Sequence, residues 1–342
     1  METGSAVNWS SRVAFLMAAV GSAVGLANIW RFPFTAGVSG GGAFVLIYLA
    51  AVLLLALPLV IAELAIGRRG AAPPPRAIAT VAMESGRSRH WGWMGVIFGS
   101  FGTTLALSFY AVVGGWTMAY VVEMASGGLQ GITTDTAQAL FEELNARVWV
   151  LLAWFSAFLG ATVLISMAGV RAGVERAVKL MMPALFLMLL VMVVYAARVG
   201  EFELALDFLF TPDFSQLNAH IVMAAFGQAF FSVSVGLTSM MAYGAYIHQS
   251  TSIPRSALII VLADSAVALL AGLAIFPIIF ANGLDPQAGP GLVFITLPFA
   301  FGQVAGGQLF GAVFFILLLF AALTSSIAML EAPVSWLSDR TR

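Results

Sequence analysis

The chain contains no cysteine, which removes disulfides, thiolate nucleophiles and thiolate metal centres. It is also poor in charge. Asp, Glu, Lys and Arg make up 9% of its 342 residues, where a soluble domain carries roughly 25%. The net charge is -1, and there is no basic patch, so nucleic acid is excluded as a partner. Histidine is scarce too: His90, His220 and His248 lie far apart in the sequence, and loop or interface roles fit them better than a metal site. No nucleophile–base arrangement of the kind a membrane enzyme needs is present.

What the chain has instead is apolar length. It is 61% hydrophobic, with a mean hydropathy of +0.99. One soluble core cannot hide that much apolar surface, and the runs are of membrane length, so the lipid bilayer is the implied partner. Eight spans are predicted, over 12–36, 43–66, 93–125, 147–168, 174–198, 218–246, 255–281 and 307–337. The first is not a cleavable signal, because it lacks a cleavage motif and a second apolar segment follows at once. Lys and Arg set the orientation. Arg68, Arg69, Arg76, Arg87, Arg89, Arg171, Arg176, Lys179, Arg255, Arg340 and Arg342 fall on one side if the spans alternate. The other side has Arg147 and Arg198 near span ends, with acids such as Asp135, Glu142, Glu201 and Asp213. Both termini are therefore expected in the cytoplasm, with 199–216 and 282–306 outside. The apolar piece 292–300 is expected as a short helix dipping into an outer vestibule.

Two spans carry residues that weaken a helix. GSAVGLANIWRFPF, residues 21–34, holds Gly21, Gly25, Asn28, Arg31 and Pro33 inside a membrane-length run. One reading is close helix packing through a small-residue face. The other is a discontinuous helix, whose freed carbonyls hold a cation and whose freed N–H groups hold a carboxylate. Such a break is tolerated only where protein or a water-filled cavity satisfies the backbone. GQAFFSVSVGLTSM, residues 227–240, repeats the oddity with Ser232, Ser234 and Gly236. FAALTSSIAM, residues 320–329, places Thr324, Ser325 and Ser326 on another span, where hydroxyls either line a site or bond back to their own helix. Asp264 and Glu63 are acids within apolar runs, at a cost of about 2.5–3.5 kcal/mol at a bilayer centre. A bound hard cation makes such an aspartate tolerable. Glu63 lies nearer the cytoplasmic end, which fits backbone bonding or snorkelling. Arg31 lies just outside the first break, placed to close a salt bridge over a pocket.

Taken together, WSSRVAFLMAAVGSAVGLANIWRFPF, GGGAF, PLVIAELAIGRRG, SFYAVVGGW, GQAFFSVSVG, FITLPFAFGQVAGG and FAALTSSIAM resemble the neurotransmitter:sodium symporter family, especially its bacterial amino-acid branch. The likeness runs in order from Trp9 to the end. It implies an all-α polytopic membrane protein of the inverted-repeat, five-plus-five transporter fold, in a cell's inner (plasma) membrane. The whole of 1–342 would be one transporter domain, with the first repeat over 12–198 and three helices of the second over 218–337. The last two helices of that repeat are missing, so a chain truncated after helix 8 is expected. The outer-gate acid that pairs with Arg31 in the family would lie beyond residue 342.

The resemblance implies sodium-coupled uptake of a neutral, hydrophobic or aromatic amino acid by alternating access. One sodium would meet the Ala23 carbonyl, Asn28, Ser232, Asp264 and the substrate carboxylate. A second would meet the carbonyls of Gly21, Val24 and Ala321 and the hydroxyls of Thr324 and Ser325. The substrate carboxylate would meet the N–H groups of Leu26 and Ala27 and the Tyr110 hydroxyl. Its ammonium would meet carbonyls around Phe231 and Ser234. Its side chain would lie among Ala106, Tyr110, Phe231, Leu237, Ser325 and Met329. Phe231 would form a lid below Arg31 and Gln228, and Trp9 and Asp339 would serve the inner gate. The leucine-transporting relative has asparagine where this chain has Asp264, so the fixed acid implies that chloride is not required. Ala106 and Leu237 replace bulkier residues, which implies a roomier pocket. Ala6 stands where many members carry a basic residue, so inner closure would rest more on Trp9 packing. The alternative function is a non-transporting amino-acid-binding or regulatory membrane protein of the same family. The oligomeric state is not readable.

Overall fold

The structure is a computed structural model that describes residues 9–129, 131–287 and 291–341; Ala6 and Arg342 lie outside them. Six of its helices are long and apolar enough to cross a membrane, and a bent pair makes a seventh span. In chain order, α1 (Arg12–Ala23) and α2 (Ala27–Val38) form that pair, bent by 46°. They are followed by α3 (Gly42–Gly70), α4 (Pro74–Glu84), α5 (Arg89–Ser126), α6 (Thr134–Ala146), α7 (Val148–Met167), α8 (Val170–Val199) and α9 (Phe202–Phe210). The remaining elements are α10 (Ala219–Ser232), α11 (Ser239–Gly244), α12 (Ile253–Ala281), α13 (Leu292–Gln303) and α14 (Gly307–Thr341). The architecture is all-α, and no strand occurs among the described residues.

The α1–α2 break has a local cause. Ser11 caps α1 by accepting from the Ala14 N–H at 3.1 Å. The helix then runs to Ala23 and stops where Val24 turns extended, at ψ 111°. Asn28 Oδ1 accepts from the Gly25 N–H at 3.0 Å. That is the return bond of a capping box, and it restarts the helix, with the Asn28 N–H donating to the Gly25 carbonyl at 3.1 Å. Gly25 is required by close approach: a Cβ there would run into Ser325 Oγ and lie 3.3 Å from the Tyr110 hydroxyl.

The expected span 218–246 is two helices. Asn218 caps α10 through the Ile221 N–H at 3.0 Å, and α10 ends at Ser232. The chain then passes through left-handed backbone at Ser234, Gly236 and Thr238, with φ of 54°, 88° and 57°, before α11 begins. Such backbone costs energy for residues other than glycine, and α3 holds it in place. Glu63 Oε1 accepts from the Gly236 N–H at 2.7 Å, so Glu63 bonds backbone rather than snorkelling.

Both breaks sit in the middle of the bundle. The α1 helix packs against α8, α12 and α14, while α10 and α11 pack on α3. The longest interface joins α14 to α5. Leu54, Trp149, Leu164 and Met223 point outward, as lipid-facing side chains do. The short helix expected over 292–300 is present as α13, and it packs against the bundle. Phe294 on it lies 6.3 Å from the Trp30 ring and its carbonyl accepts from the Tyr120 hydroxyl at 2.6 Å.

Candidate functional site

The two breaks face each other across α12, and three groups of the predicted residues meet there. The first is a polar knot. Asn28 Nδ2 donates to Asp264 Oδ1 at 2.8 Å, to the Asp264 carbonyl at 2.9 Å and to Ser232 Oγ at 3.0 Å. Ser232 Oγ donates to Asp264 Oδ2 at 2.5 Å. Asn28, Ser232 and Asp264 are all fully buried. No Lys or Arg pairs with Asp264 among the described residues. A buried carboxylate without a cationic partner is costly, so the knot is suited to a hard cation, for which carboxylate, hydroxyl and amide oxygens are the right donors.

Sequence reasoning missed Tyr48 here. Its hydroxyl lies 3.4 Å from Ser232 Oγ and 3.5 Å from Asp264 Oδ2. The only signal was a lone tyrosine within an apolar run, which reads equally well as core.

The second group lies where the end of α1 meets α14. Ser325 Oγ donates to the Val24 carbonyl at 3.3 Å and the Ser22 carbonyl at 3.4 Å. A Cβ on Gly21 would come 3.3 Å from Thr324 Cβ. Ala321, Thr324 and Ser325 are buried. The Thr324 hydroxyl donates back to the Phe320 and Ala321 carbonyls, both at 3.1 Å. Of the hydroxyls on this stretch, Ser325 reaches across to the break and Thr324 stays with its own helix. Ser326 pairs with Thr162 at 2.9 Å, away from the break.

The third group lines a cavity of about 460 Å3. Ala106, Tyr110, Phe231, Ser234, Leu237 and Met329 are on its wall, as is Arg31. Phe109 and Phe230 also line it and were not singled out in the sequence, where they are two phenylalanines among 27. Ala23, Leu26, Ala27 and Ser325 are buried and do not line the cavity itself. They belong to the adjoining break. The Phe231 carbonyl already accepts from the Ser234 N–H at 3.3 Å, so the turn shapes the carbonyls near the cavity.

Above the cavity, the Arg31 guanidinium sits 4.5 Å over the Phe231 ring and reaches the Gly227 carbonyl at 3.4 Å. It pairs with no carboxylate among the described residues, so its contacts there are the phenylalanine ring and that carbonyl. Gln228 ties the two breaks together by donating to the Ala27 carbonyl at 2.8 Å. At the opposite end, Trp9 is packed among Phe15, Tyr243 and Tyr246 and donates to the Tyr243 carbonyl at 3.2 Å. Asp339 does not join that cluster through an ion pair. Its partner is Arg76 of α4, at 2.9 Å, a basic residue that sequence spacing of 263 positions could not connect to it. The three histidines are dispersed, and no cluster of metal-ligating side chains built on His, Asp or Glu occurs among the described residues.

Comparison with known proteins agrees with this geometry. The Sodium:neurotransmitter symporter family matches over residues 7–139 and 141–342. The sodium-dependent transporter YhdH of Bacillus subtilis (strain 168) is 41% identical over 331 residues, covering 96% of this chain and 72% of the relative. A sodium-dependent transporter of Haemophilus influenzae is 33% identical, covering 98% of this chain and 74% of its own length. The crystal structure of MhsT in complex with L-phenylalanine is similar with a TM-score of 0.88 and 39% identity, covering 98% of this chain and 75% of that one. With its broken helices meeting at mid-bundle and its sequence matched over residues 7–139 and 141–342, this chain belongs to the sodium:neurotransmitter symporter family, a family of sodium-dependent membrane transporters and not of enzymes.

Proposed function

We propose that the chain takes up a neutral amino acid with a hydrophobic or aromatic side chain, driven by sodium through alternating access. One observation carries this reading: Phe231 and Ser234 on the wall of a mostly apolar cavity of about 460 Å3 flank in sequence Ser232, which bonds the buried Asp264 carboxylate, a group with no cationic partner among the described residues. The volume falls in the usual range for small-molecule sites, about 300–1,000 Å3. L-phenylalanine bound to the similar MhsT supports the same class of substrate.

On this reading two sodium ions are cargo. The first meets the Ala23 carbonyl, Asn28, Ser232, Asp264 and the substrate carboxylate. For this, Asn28 turns its amide oxygen toward the ion and gives up its bond to the Gly25 N–H. Sodium entry is thereby tied to the backbone of the break. The second ion meets the carbonyls of Gly21, Val24 and Ala321 and the hydroxyls of Thr324 and Ser325, with Thr324 rotating away from its own helix. The substrate carboxylate meets the Leu26 and Ala27 N–H groups and Tyr110. Its ammonium meets carbonyls around Phe231 and Ser234, and its side chain lies toward Ala106, Leu237 and Met329. Phe231, Arg31 and Gln228 close the outer side and Trp9 the inner side. Asp264 supplies a fixed negative charge, so chloride is not required. The repeats are 12–198 and 218–337, and both ends of the chain face the cytoplasm of a cell bounded by its inner (plasma) membrane.

A second reading, a non-transporting amino-acid-binding protein, draws on the absence of a carboxylate partner for Arg31 among the described residues. The test is binding of radiolabelled tryptophan and leucine to the purified chain, in sodium and in potassium, with Asp264→Ala alongside. Sodium-dependent binding that is lost in the variant is expected. Equal binding in potassium contradicts the sodium-driven reading. Counterflow in vesicles then separates them.

A further inference from the structure

A second cavity, of about 530 Å3, opens at the other end of α3 and plays no part in the proposed transport site. Its wall is formed by Ala65, Ile66, Arg68 and Arg69 of α3, Val81 of α4 and Gln249. It lies on the arginine-rich side of the protein. Arg68 donates one guanidinium N–H to the Thr251 carbonyl at 2.7 Å and has no carboxylate partner among the described residues. Arg69 pairs with Glu84 at 2.7 Å, but both side chains are largely exposed, at 69% and 43%, and exposed pairs of this kind are weak. Arg87, on the linker after α4, and Arg89, at the start of α5, are exposed and likewise lack a carboxylate partner among the described residues. Two arginines therefore meet one glutamate at this opening, and two more follow within five residues of that glutamate in the chain.

The surroundings are those of a membrane interface. Immediately after Arg89, Trp91, Trp93, Met94, Ile97 and Phe98 are exposed. Tryptophan next to arginine, at the end of a membrane-length helix, is the pattern of side chains held at headgroup level. The cavity is thus lined by two guanidinium groups and the Gln249 amide together with alanine, isoleucine and valine. A free anion needs only the first of these features, whereas a phospholipid uses both.

We propose that this cavity binds a phospholipid with an anionic headgroup, its phosphate held by Arg68 and Arg69 and its upper acyl chain lying against Ile66 and Val81. Basic pockets at the cytoplasmic ends of spanning helices recognise such headgroups by the same electrostatics, and the planar guanidinium fork matches two phosphate oxygens. The lipid lies between α3, α4 and the segment after α11, and Arg69 exchanges Glu84 for phosphate when it binds.

The test uses the purified full chain and native mass spectrometry, with phosphatidylglycerol and phosphatidylcholine supplied at equal concentration. Phosphatidylglycerol is retained preferentially, by about fivefold for each arginine engaged. The Arg68→Gln/Arg69→Gln variant loses the preference. Val81→Trp, which fills the cavity and keeps both arginines, loses it too, and does so whether or not the double variant folds. Equal retention of the two lipids by the wild type overturns the proposal. So does an undiminished preference in Val81→Trp, which points to general surface charge. Displacement of phosphatidylglycerol by millimolar inorganic phosphate, with no role for the acyl chain, also overturns it and makes the cavity a free-phosphate site. None of these outcomes depends on transport or on the amino-acid site.

Discussion

Replacing Asp264 with asparagine changes one atom and one charge at the centre of the polar knot. The carboxylate accepts from Ser232 Oγ at 2.5 Å and from Asn28 Nδ2 at 2.8 Å. An asparagine brings an NH2 group that must face one of these donors. The Ser232 hydroxyl can turn and accept, whereas the Asn28 NH2 cannot. If the new NH2 faces Asn28, that residue must flip and surrender its bond to the Gly25 N–H. Losing a hydrogen bond to a charged acceptor costs about 1.5–3 kcal/mol. For a bound sodium, the lost attraction to a unit charge ~4 Å away is about 4 kcal/mol at an effective dielectric of 20. The asparagine oxygen recovers part of this, which leaves a net loss of about 2–4 kcal/mol and sodium binding weakened by roughly 30- to 1,000-fold. The assay is a sodium titration of amino-acid binding, in chloride and in gluconate. Wild-type protein should give the same midpoint in both anions. Asp264→Asn should need far more sodium in gluconate and be partly rescued by chloride. A variant that keeps the wild-type midpoint in gluconate, or a wild type that stops binding without chloride, refutes the reasoning.

Four further outcomes follow from the same geometry. Ala106→Phe fills part of the cavity, and overpacking of about 1–3 kcal/mol should weaken tryptophan binding by roughly 5- to 150-fold, with leucine affected less; equal losses for both would count against the assigned wall. Gly25→Ala puts a methyl group against Ser325 Oγ and 3.3 Å from the Tyr110 hydroxyl, so sodium-dependent binding should disappear, and a variant that binds normally shows the break is not closely packed. Glu63→Ala strands the Gly236 N–H and should lower stability by about 1–3 kcal/mol, read as an earlier denaturation midpoint in detergent; an unchanged midpoint removes Glu63 as the brace of the second break. Trp9→Ala deletes the aromatic plug at the inner end, and a single cysteine at Ala245, free of background because the chain has no cysteine of its own, should react faster with a maleimide; an unchanged rate means that Trp9 does not limit access.

Much of the fold was legible because lipid imposes strong rules on sequence. Seven of the eight expected spans appear as predicted helices within a few residues, the first of them as the bent pair. The sixth, 218–246, was legible only as an interrupted span, and its interruption is longer than the glycine and serines indicate, since Thr238 is left-handed as well. Asn28, Ser232 and Asp264 were visible as polar residues in apolar runs, and the structure brings all three within hydrogen-bond distance of one another. Tyr48 was not visible, because a tyrosine in an apolar helix says nothing about which residue its hydroxyl will meet. Arg76 was hidden for a related reason. Its pairing with Asp339 joins an interfacial helix to the far end of the chain, and only the packed bundle sets that distance. Thr324 shows the reverse case: its hydroxyl was expected at a shared site, yet in this state it satisfies its own helix.

The central claim is that sodium drives the amino acid across the membrane, and accumulation in sealed vesicles tests it most directly. The purified chain is reconstituted with potassium inside, and radiolabelled phenylalanine is followed with sodium or potassium outside. The account predicts transient accumulation above equilibrium under an inward sodium gradient, abolished by a sodium ionophore and absent in Asp264→Ala. Phenylalanine that merely equilibrates, at the same rate with potassium outside, would contradict it.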